Sequence, residues 1–330
     1  MNTAPQPVVF EPIFKPKPWG GRRLAEVLGK RLPPGVPIGE SWELADLPGA
    51  QTRVRAGPLA GRTLTDLLRE WGDELMGGAA LWAGHFPLLV KFLDAREDLS
   101  VQVHPIEAEL GVPGGVKHEA WYVLHAAPNA RLYAGIQPTA TPDELARCAG
   151  RPQMVGLLRA WPVRVGEYFY LPAGTVHALG AGLLVAEIQT PSDATYRLYD
   201  WQRVGLDGRP RELAIETGLA NIRYDLTDSE IRPTPRPAAS PLDGLTATRI
   251  VDCAAFRIDL ISAPSATVGS LPAGCLRVWV LCRGAGRLVA PPGTLAVRAG
   301  DVVLIPAGCA PTVGFGGGST LLEARLPNGK

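Results

Sequence analysis

Apolar and polar positions alternate along most of the chain with a period near two. The segments LSVQVHP, EAWYVLH, EYFYLP, LLVAEIQ and TYRLYDW before residue 225, and FRIDLIS, LRVWVLC, GRLVA and DVVLIPAG after residue 250, all read this way, as half-buried β-strands do. Two segments depart from the pattern. In GRTLTDLLREWGDELMGG, Leu64, Leu67, Leu68, Trp71 and Leu75 recur at helical spacing, with Thr63 as a cap before them and Gly77 after. In TATPDELARCAGRPQMVGLLRAW, Thr141, Pro142 and Glu144 supply an N-cap, a first-turn proline and an N3 glutamate, and Met154, Leu157, Leu158 and Trp161 form a second helical stripe. Both segments are expected to be packing faces.

Between the two sets of strands, DLTDSEIRPTPRPAASPLDG carries Pro233, Pro235, Pro237 and Pro241, which cannot donate to a regular ladder. The chain is therefore expected to be mainly β. A strand-rich domain over 1–225, with helical segments near 63–77 and 141–161, would be joined by a proline-rich linker over 226–244 to a smaller all-β domain over 245–330. An internal repeat supports this division. VRVGEYFYLPAGTVHALG at 163–180 returns as VRAGDVVLIPAGCAPTVG at 297–314, with the same Gly-x5-Pro-x-Gly frame, but His177 of the first copy gives way to Pro311 in the second. A duplicated jelly-roll unit, one copy elaborated, explains the repeat most economically.

Composition then removes several function classes. A net charge of +1 gives no general electrostatic reason to bind nucleic acid or an acidic membrane, so any anion recognised should be small and held by local cations. The N-terminus lacks the basic, apolar and cleavage segments of a signal peptide, and no apolar run reaches the length of a membrane span. The five cysteines, Cys148, Cys253, Cys275, Cys282 and Cys309, are scattered with no C-x-x-C pair, which suits a reducing cytoplasm better than a disulfide scaffold or a thiolate zinc site. The 38 glycines and 32 prolines punctuate short apolar runs, as tight turns between strands would.

Candidate chemistry gathers in the first repeat. Alternation in LSVQVHP puts Leu99, Val101 and Val103 on one face and Ser100, Gln102 and His104 on the other, so one face of this strand can line a pocket. Glu119 follows in VKHEAWYVLH, and His177 ends the first copy of the repeated turn. Two imidazoles and a carboxylate are the ligand set of a catalytic zinc with an open position, and Gln102 could add a neutral oxygen. His85, His118 and His125 sit in no comparable pattern and are expected to be structural. Lys91 interrupts the apolar run PLLVKFLDA, and a buried lysine needs a partner or a ligand anion; Lys117 lies just before Glu119.

The turn Gly166-x5-Pro172-x-Gly174-x2-His177 matches the second motif of the cupins, in which the turn aims a histidine into the barrel. More specifically, the blocks KPKPWGG (15–21), IGESWELAD (38–46), PLLVKFLDAREDLSVQVHP (87–105), KHEAWYVL (117–124) and LPAGTVHALGAGLLVAEIQTPSDATYRLYDWQR (171–203) fall in order. Together they resemble the type I mannose-6-phosphate isomerases in their short bacterial form. The resemblance implies two cupin barrels, the second a degenerate metal-free copy, and one zinc per chain on Gln102, His104, Glu119 and His177. It further implies a catalytic arginine at Arg197 and a pocket glutamate at Glu187; either this glutamate or a zinc-bound water would move the proton between carbons of a hexose 6-phosphate. Lys91 and Lys117 are the candidates to meet the substrate phosphate. Without the resemblance, Arg197 would read as a surface arginine paired with Asp193 or Asp200, and Glu187 as an outward-facing polar residue. The second repeat would serve as scaffold, covering apolar surface of the first domain or shaping the pocket rim.

Two other readings compete. A dioxygenase or cupin-type sugar isomerase would use three histidines and a glutamate with an H-x-H pair, but Gln102 stands two residues before His104. A non-catalytic sugar-phosphate-binding cupin would show a damaged site, yet every position implied by the resemblance is filled. No glycine-rich nucleotide segment accompanies the site, so a single activity is expected, in a monomer or homodimer.

Overall fold

The computed structural model describes residues 3–107 and 116–327 and is mainly β, as the alternating pattern predicts. Every strand expected above is present. Contacts between Cα atoms group the chain into two discontinuous units, one of Met1–Ile13, Trp42–Val90 and Thr234–Lys330, the other of Phe14–Ser41 and Lys91–Pro233. A division at one linker differs from this because long-range pairing recruits the N-terminus. The Val8–Glu11 strand lies antiparallel to Val302–Ile305, with Val8 opposite Leu304 and Val9 opposite Val303. Part of the proline-rich stretch is also ordered. Thr227 caps a short helix over Asp228–Ile231, Ile231 is fully buried, and Arg236–Pro237 forms an edge strand, a place where proline is tolerated.

Two sheets carry the candidate site, of which the six-stranded one has the order Tyr168–Leu171, Glu119–Ala126, Leu183–Gln189, Leu89–Ala95, Ile13–Gly21, Ile38–Leu44. A five-stranded sheet has the order Leu158–Pro162, Arg131–Ile136, His177–Ala178, Val101–Val103, Tyr196–Tyr199. Trp121, Phe169 and Val185 of the first share one apolar core with Leu132 and Ala134 of the second. On its other face the five-stranded sheet packs Val101, Val103, Ala178 and Leu198 against Leu145 and Met154. The first unit contains an eight-stranded and a four-stranded sheet joined by a core that includes Trp279, Leu288, Val313 and Leu321.

The helical expectations are met in part. Thr63 and Asp66 form a capping box for Leu64–Trp71, and Thr141 and Glu144 form one for Pro142–Cys148. The first helix breaks at Gly72, whose φ is +45°, before a short turn of helix over Asp73–Met76. The stripe from Met154 to Trp161 is not an α-helix. Pro152–Leu157 is a 3₁₀ turn and Leu158–Pro162 a strand, in which Leu132 faces Trp161 and the Trp161 Nε1 donates to the Ala134 carbonyl. Gly156 and Pro152 weaken the helix here, and a waiting strand edge decides the outcome.

The repeated turns sit in equivalent registers. In the first copy Leu171 pairs with Glu119, Phe169 with Trp121, and Trp121 in turn with Glu187. In the second, Ile305 pairs with Arg277, Val303 with Trp279, and Trp279 with Glu323. Arg277 thus occupies the register position of Glu119, and Glu323 that of Glu187.

Candidate metal centre

Three neighbouring strands present the candidate residues side by side. Gln102 lies between His177 on one side and Arg197 on the other, each directly opposite it in antiparallel register. Val101 and Val103 turn to the opposite face of the sheet and are fully buried there. Leu99 does not share their face. It precedes the strand proper, packs in the inner core and lines the pocket. Glu119 comes from the six-stranded sheet.

Backbone carbonyls fix both imidazoles. His104 Nδ1 lies 2.8 Å from the Ala194 carbonyl oxygen and His177 Nδ1 lies 2.8 Å from that of Thr175. A carbonyl only accepts, so each Nδ1 carries the proton and each Nε2 keeps its lone pair. Those Nε2 atoms face one carboxylate, with His104 3.2 Å from Glu119 Oε1 and His177 3.5 Å from Glu119 Oε2. Burial keeps both rings neutral, pushing His104 down to about 3 and His177 below its ordinary value. Burial opposes ionisation of Glu119, but the Lys117 ammonium 2.8 Å from Oε1 counters it, and the carboxyl lies well below the usual range.

This arrangement fits a metal ion. One ligand atom from each of His104, Glu119 and His177 lies within 4.8 Å of the others, all three residues are buried, and Glu119 Oε2 has no hydrogen-bond donor. A buried carboxylate oxygen without a donor is costly unless a cation satisfies it. The Gln102 side-chain amide lies beside the cluster, its Nε2 3.2 Å from His177 Nε2 while its oxygen accepts from Ser100 Oγ at 3.1 Å. Carbonyl-anchored imidazoles are the usual support of metal ligands. Lys117 also belongs to this cluster, its Nζ 2.8 Å from Glu119 Oε1 and 3.3 Å from His104 Nε2.

A pocket opens beside the cluster, lined among others by Lys17, Trp19, Glu40, Lys91, Glu187 and Arg197. Glu187 is buried rather than outward-facing. Its Oε1 accepts from Trp121 Nε1 at 2.9 Å, and its Oε2 lies 3.4 Å from Lys91 Nζ. Burial, reinforced by the Glu119 charge and opposed by Lys91, raises Glu187 to about 7. Burial would lower the Lys91 pKa, but Glu187, Glu40, Asp193 and Glu119 outweigh it and hold the ammonium protonated. Lys91 and Lys117 therefore each face a carboxylate. Arg197 does not pair with Asp193 or Asp200; Asp200 accepts instead from Arg203 and Arg211, while the buried Arg197 Nε has no hydrogen-bond partner. Arg211, Glu40 and Lys17 also line the pocket but were not singled out by the sequence. Arg211 sits in GRPREL, a loop with no periodicity to mark it.

Of the histidines expected to be structural, two have side-chain partners away from the cluster. His118 Nδ1 is 2.9 Å from the Tyr170 hydroxyl and the ring stacks on that of Tyr170, and His85 Nδ1 lies 3.5 Å from Asp46.

Comparison with known proteins agrees with this geometry. The family profile "Phosphomannose isomerase type I, catalytic domain" matches residues 9–131. Mannose-6-phosphate isomerase ManA of Bacillus subtilis is 33% identical over 314 residues, covering 92% of this chain and 94% of that protein. The chain belongs to the type I mannose-6-phosphate isomerases. Within that family, the mannose-6-phosphate isomerase of Streptococcus mutans is 33% identical over 308 residues, covering 91% of this chain and 92% of that one. The crystal structure of a B. subtilis mannose 6-phosphate isomerase superposes with a TM-score of 0.85 at 30% identity, over 97% of this chain and 99% of its own. The chain thus shares its mainly β fold with that structure, consistent with the cupin architecture expected from the repeated turn. Among the described residues, no helix is long and apolar enough to cross a membrane.

Proposed function

We propose that the chain interconverts mannose 6-phosphate and fructose 6-phosphate by moving a proton between carbons 1 and 2. The observation that carries this reading is the meeting, in one pocket, of a metal-competent His104–Glu119–His177 cluster with a carboxyl poised near 7 and an unpaired guanidinium. His104, Glu119 and His177, with the Gln102 amide oxygen, would hold one zinc ion; two imidazoles and two oxygens are a donor set zinc favours. When bound, zinc supplies Lewis-acid polarisation of the sugar carbonyl.

The remaining work falls to side chains. Glu187 takes the proton from one carbon and returns it to the other, and a pKa near operating pH suits both halves of that transfer. Trp121 occupies Glu187 Oε1, which leaves Oε2 as the proton-carrying atom, and Lys91 steadies the anion between the two halves. Arg197 stabilises negative charge on the enediolate oxygens, because a guanidinium stays protonated and offers several donors. Lys91 and Lys117 contact substrate from the carboxylate side of the pocket. We further propose that each unit's pair of sheets is a jelly-roll barrel, and that the repeat over 245–330 serves as scaffold, leaving the chemistry to 87–203. The five cysteines, which form no disulfide among the described residues, support a cytoplasmic enzyme; it would act as a monomer or homodimer on a small phosphorylated sugar, without nucleic acid or membrane.

A coupled assay of purified, zinc-loaded protein on mannose 6-phosphate should show turnover, and metal analysis should find zinc near one per chain. No product at saturating zinc would favour a non-catalytic sugar-phosphate-binding cupin, and tightly bound iron would reopen the choice among cupin enzymes.

A further inference from the structure

The pocket's cations divide into two kinds. Lys17, Lys91 and Lys117 each face a carboxylate, with Glu40 at 2.8 Å, Glu187 at 3.4 Å and Glu119 at 2.8 Å. A lysine so neutralised has less to offer a dianion. The two arginines lining the same pocket are placed differently. Arg197 keeps a buried Nε without a partner. Arg211 is anchored from behind, its Nε donating to Asp200 Oδ2 at 2.7 Å and its Nη2 to Asp200 Oδ1 at 2.5 Å, which leaves the Nη1 edge for another acceptor. Asp200 is buried and also accepts two bonds from Arg203, so its single negative charge is shared and the surroundings stay positive.

Position gives this pair a direction. Across the five-stranded sheet the order runs His177, Gln102, Arg197, and Tyr196–Tyr199 is the edge strand. The segment carrying Arg211 runs beyond that edge, where the Ala214 amide donates to the Arg197 carbonyl. Arg211 thus comes from chain one strand spacing, about 4.8 Å, further from the metal cluster than the strand bearing Arg197. A hexose 6-phosphate is polarised the same way, with its reacting carbons at one end and its only ionic group at the other.

We propose that Arg211 takes the phosphoryl group of the substrate, held for that purpose by Asp200, and thereby sets the preference for phosphorylated over free hexose. This rests on reading the site as a hexose 6-phosphate isomerase. Arg197 keeps its role at the enediolate, and its charge adds to the field that draws the phosphate in. Asp193 and Glu40 are the other carboxylates lining this pocket outside the metal cluster and its Glu187 neighbour, and their charges act on Arg197.

The test compares Arg211→Gln and Arg211→Lys with Arg203→Gln, which loses the same Asp200 contact but does not line the pocket. Arg211→Gln should raise KM for mannose 6-phosphate about tenfold or more with kcat within about threefold, and should weaken inhibition by inorganic phosphate by a similar factor. Arg211→Lys should recover part of both, and Arg203→Gln neither lose nor gain. An unchanged KM and phosphate inhibition in Arg211→Gln, or equal losses in Arg203→Gln, would overturn the proposal. Calorimetric titration of inorganic phosphate into each protein separates this from the activity itself. If the wild type bound phosphate in an Arg211-dependent way but did not isomerise, the functional reading would fall and the anion site would stand.

Discussion

The two copies of the repeated turn share a frame and differ in what fills it. In both, a tryptophan Nε1 donates to a glutamate on the neighbouring strand, Trp121 to Glu187 at 2.9 Å and Trp279 to Glu323 at 2.8 Å. Two residues before the tryptophan the first copy has Glu119 and the second has Arg277. Arg277 is buried and donates to both oxygens of Glu323 at 3.1 Å, with Arg325 adding a contact at 3.1 Å. The first copy thus gathers buried acidic and imidazole groups that call for a cation, and the second carries its cation covalently. The turns follow suit. The Gly174 amide donates to the carbonyl of His104, tying the turn to the ligand strand. The Ala307 and Gly308 amides instead donate to the Leu75 and Glu74 carbonyls, satisfying the end of the Asp73–Met76 helix.

The sharpest way to break this contrast is to remove a cation-seeking group from the first copy. His104→Ala or His177→Ala should lose bound metal and turnover together, by three orders of magnitude or more on the order expected for a catalytic metal; elemental analysis and the coupled assay read both. An active, metal-free His177→Ala enzyme would sink the assignment. Arg197→Ala and Glu187→Gln should keep the metal and lose roughly 10²–10⁴ in kcat. Because Glu187 must be anionic to accept a proton and burial raises it to about 7, kcat/KM in the wild type should climb as pH rises through about 7. A profile flat from pH 6 to 8 would assign the base elsewhere.

The complementary test removes the built-in cation. Arg277→Leu leaves Glu323 buried with Trp279 and Arg325, and should lower stability by about 3–5 kcal/mol in denaturant titration while leaving kcat per folded molecule unchanged. Arg277→Leu with Glu323→Leu should recover most of that loss, since the unpaired charge is gone. A double variant as unstable as the single one would mean that Arg277 acts through packing, not charge.

How much of this was legible in the sequence depends on the distance over which each feature is encoded. Gln102 and His104 stand two apart in one short segment and His177 closes a local turn, so the candidates are visible locally, but spacing alone is weak and the turn motif and the resemblance join them with Glu119. Nothing local marks Arg277 in LRVWVLC, and only the strand pairing, Ile305 with Arg277 and Trp279 with Glu323, aligns it with Glu119. The Met154 to Trp161 stripe was misread because apolar residues three and four apart also satisfy a 3₁₀ turn followed by a strand, and the Arg131–Ile136 edge that chooses between them is remote in sequence. Recruitment of Val8–Glu11 to Val302–Ile305 is encoded across nearly the whole chain and leaves no local mark. Arg211 depends on Asp200 and on a loop path that no periodicity records.

The smallest predicted effect probes the turns themselves. Gly174 has φ +82°, and a Cβ there would lie 2.6 Å from Ile106 and 3.0 Å from the Asn221 carbonyl oxygen, with Arg223 at 2.8 Å. Gly308 is not among the positive-φ glycines, and a Cβ there would meet the Glu74 Cβ and carbonyl oxygen at 3.2 Å, a tight contact that a shift of a few tenths of an ångström in the short Asp73–Met76 turn would relieve. Gly174→Ala should therefore cost about 1–2 kcal/mol from backbone conformation alone, plus the steric term, and should weaken metal retention because the turn holds the His104 strand. Gly308→Ala should cost less than about 1 kcal/mol and leave metal content and kcat unchanged. Equal losses of stability in the two variants would mean that the turns are alike in backbone demand. Equal losses of metal would mean that the second turn also supports the centre, and the contrast between an armed copy and a self-neutralised one would have to be redrawn.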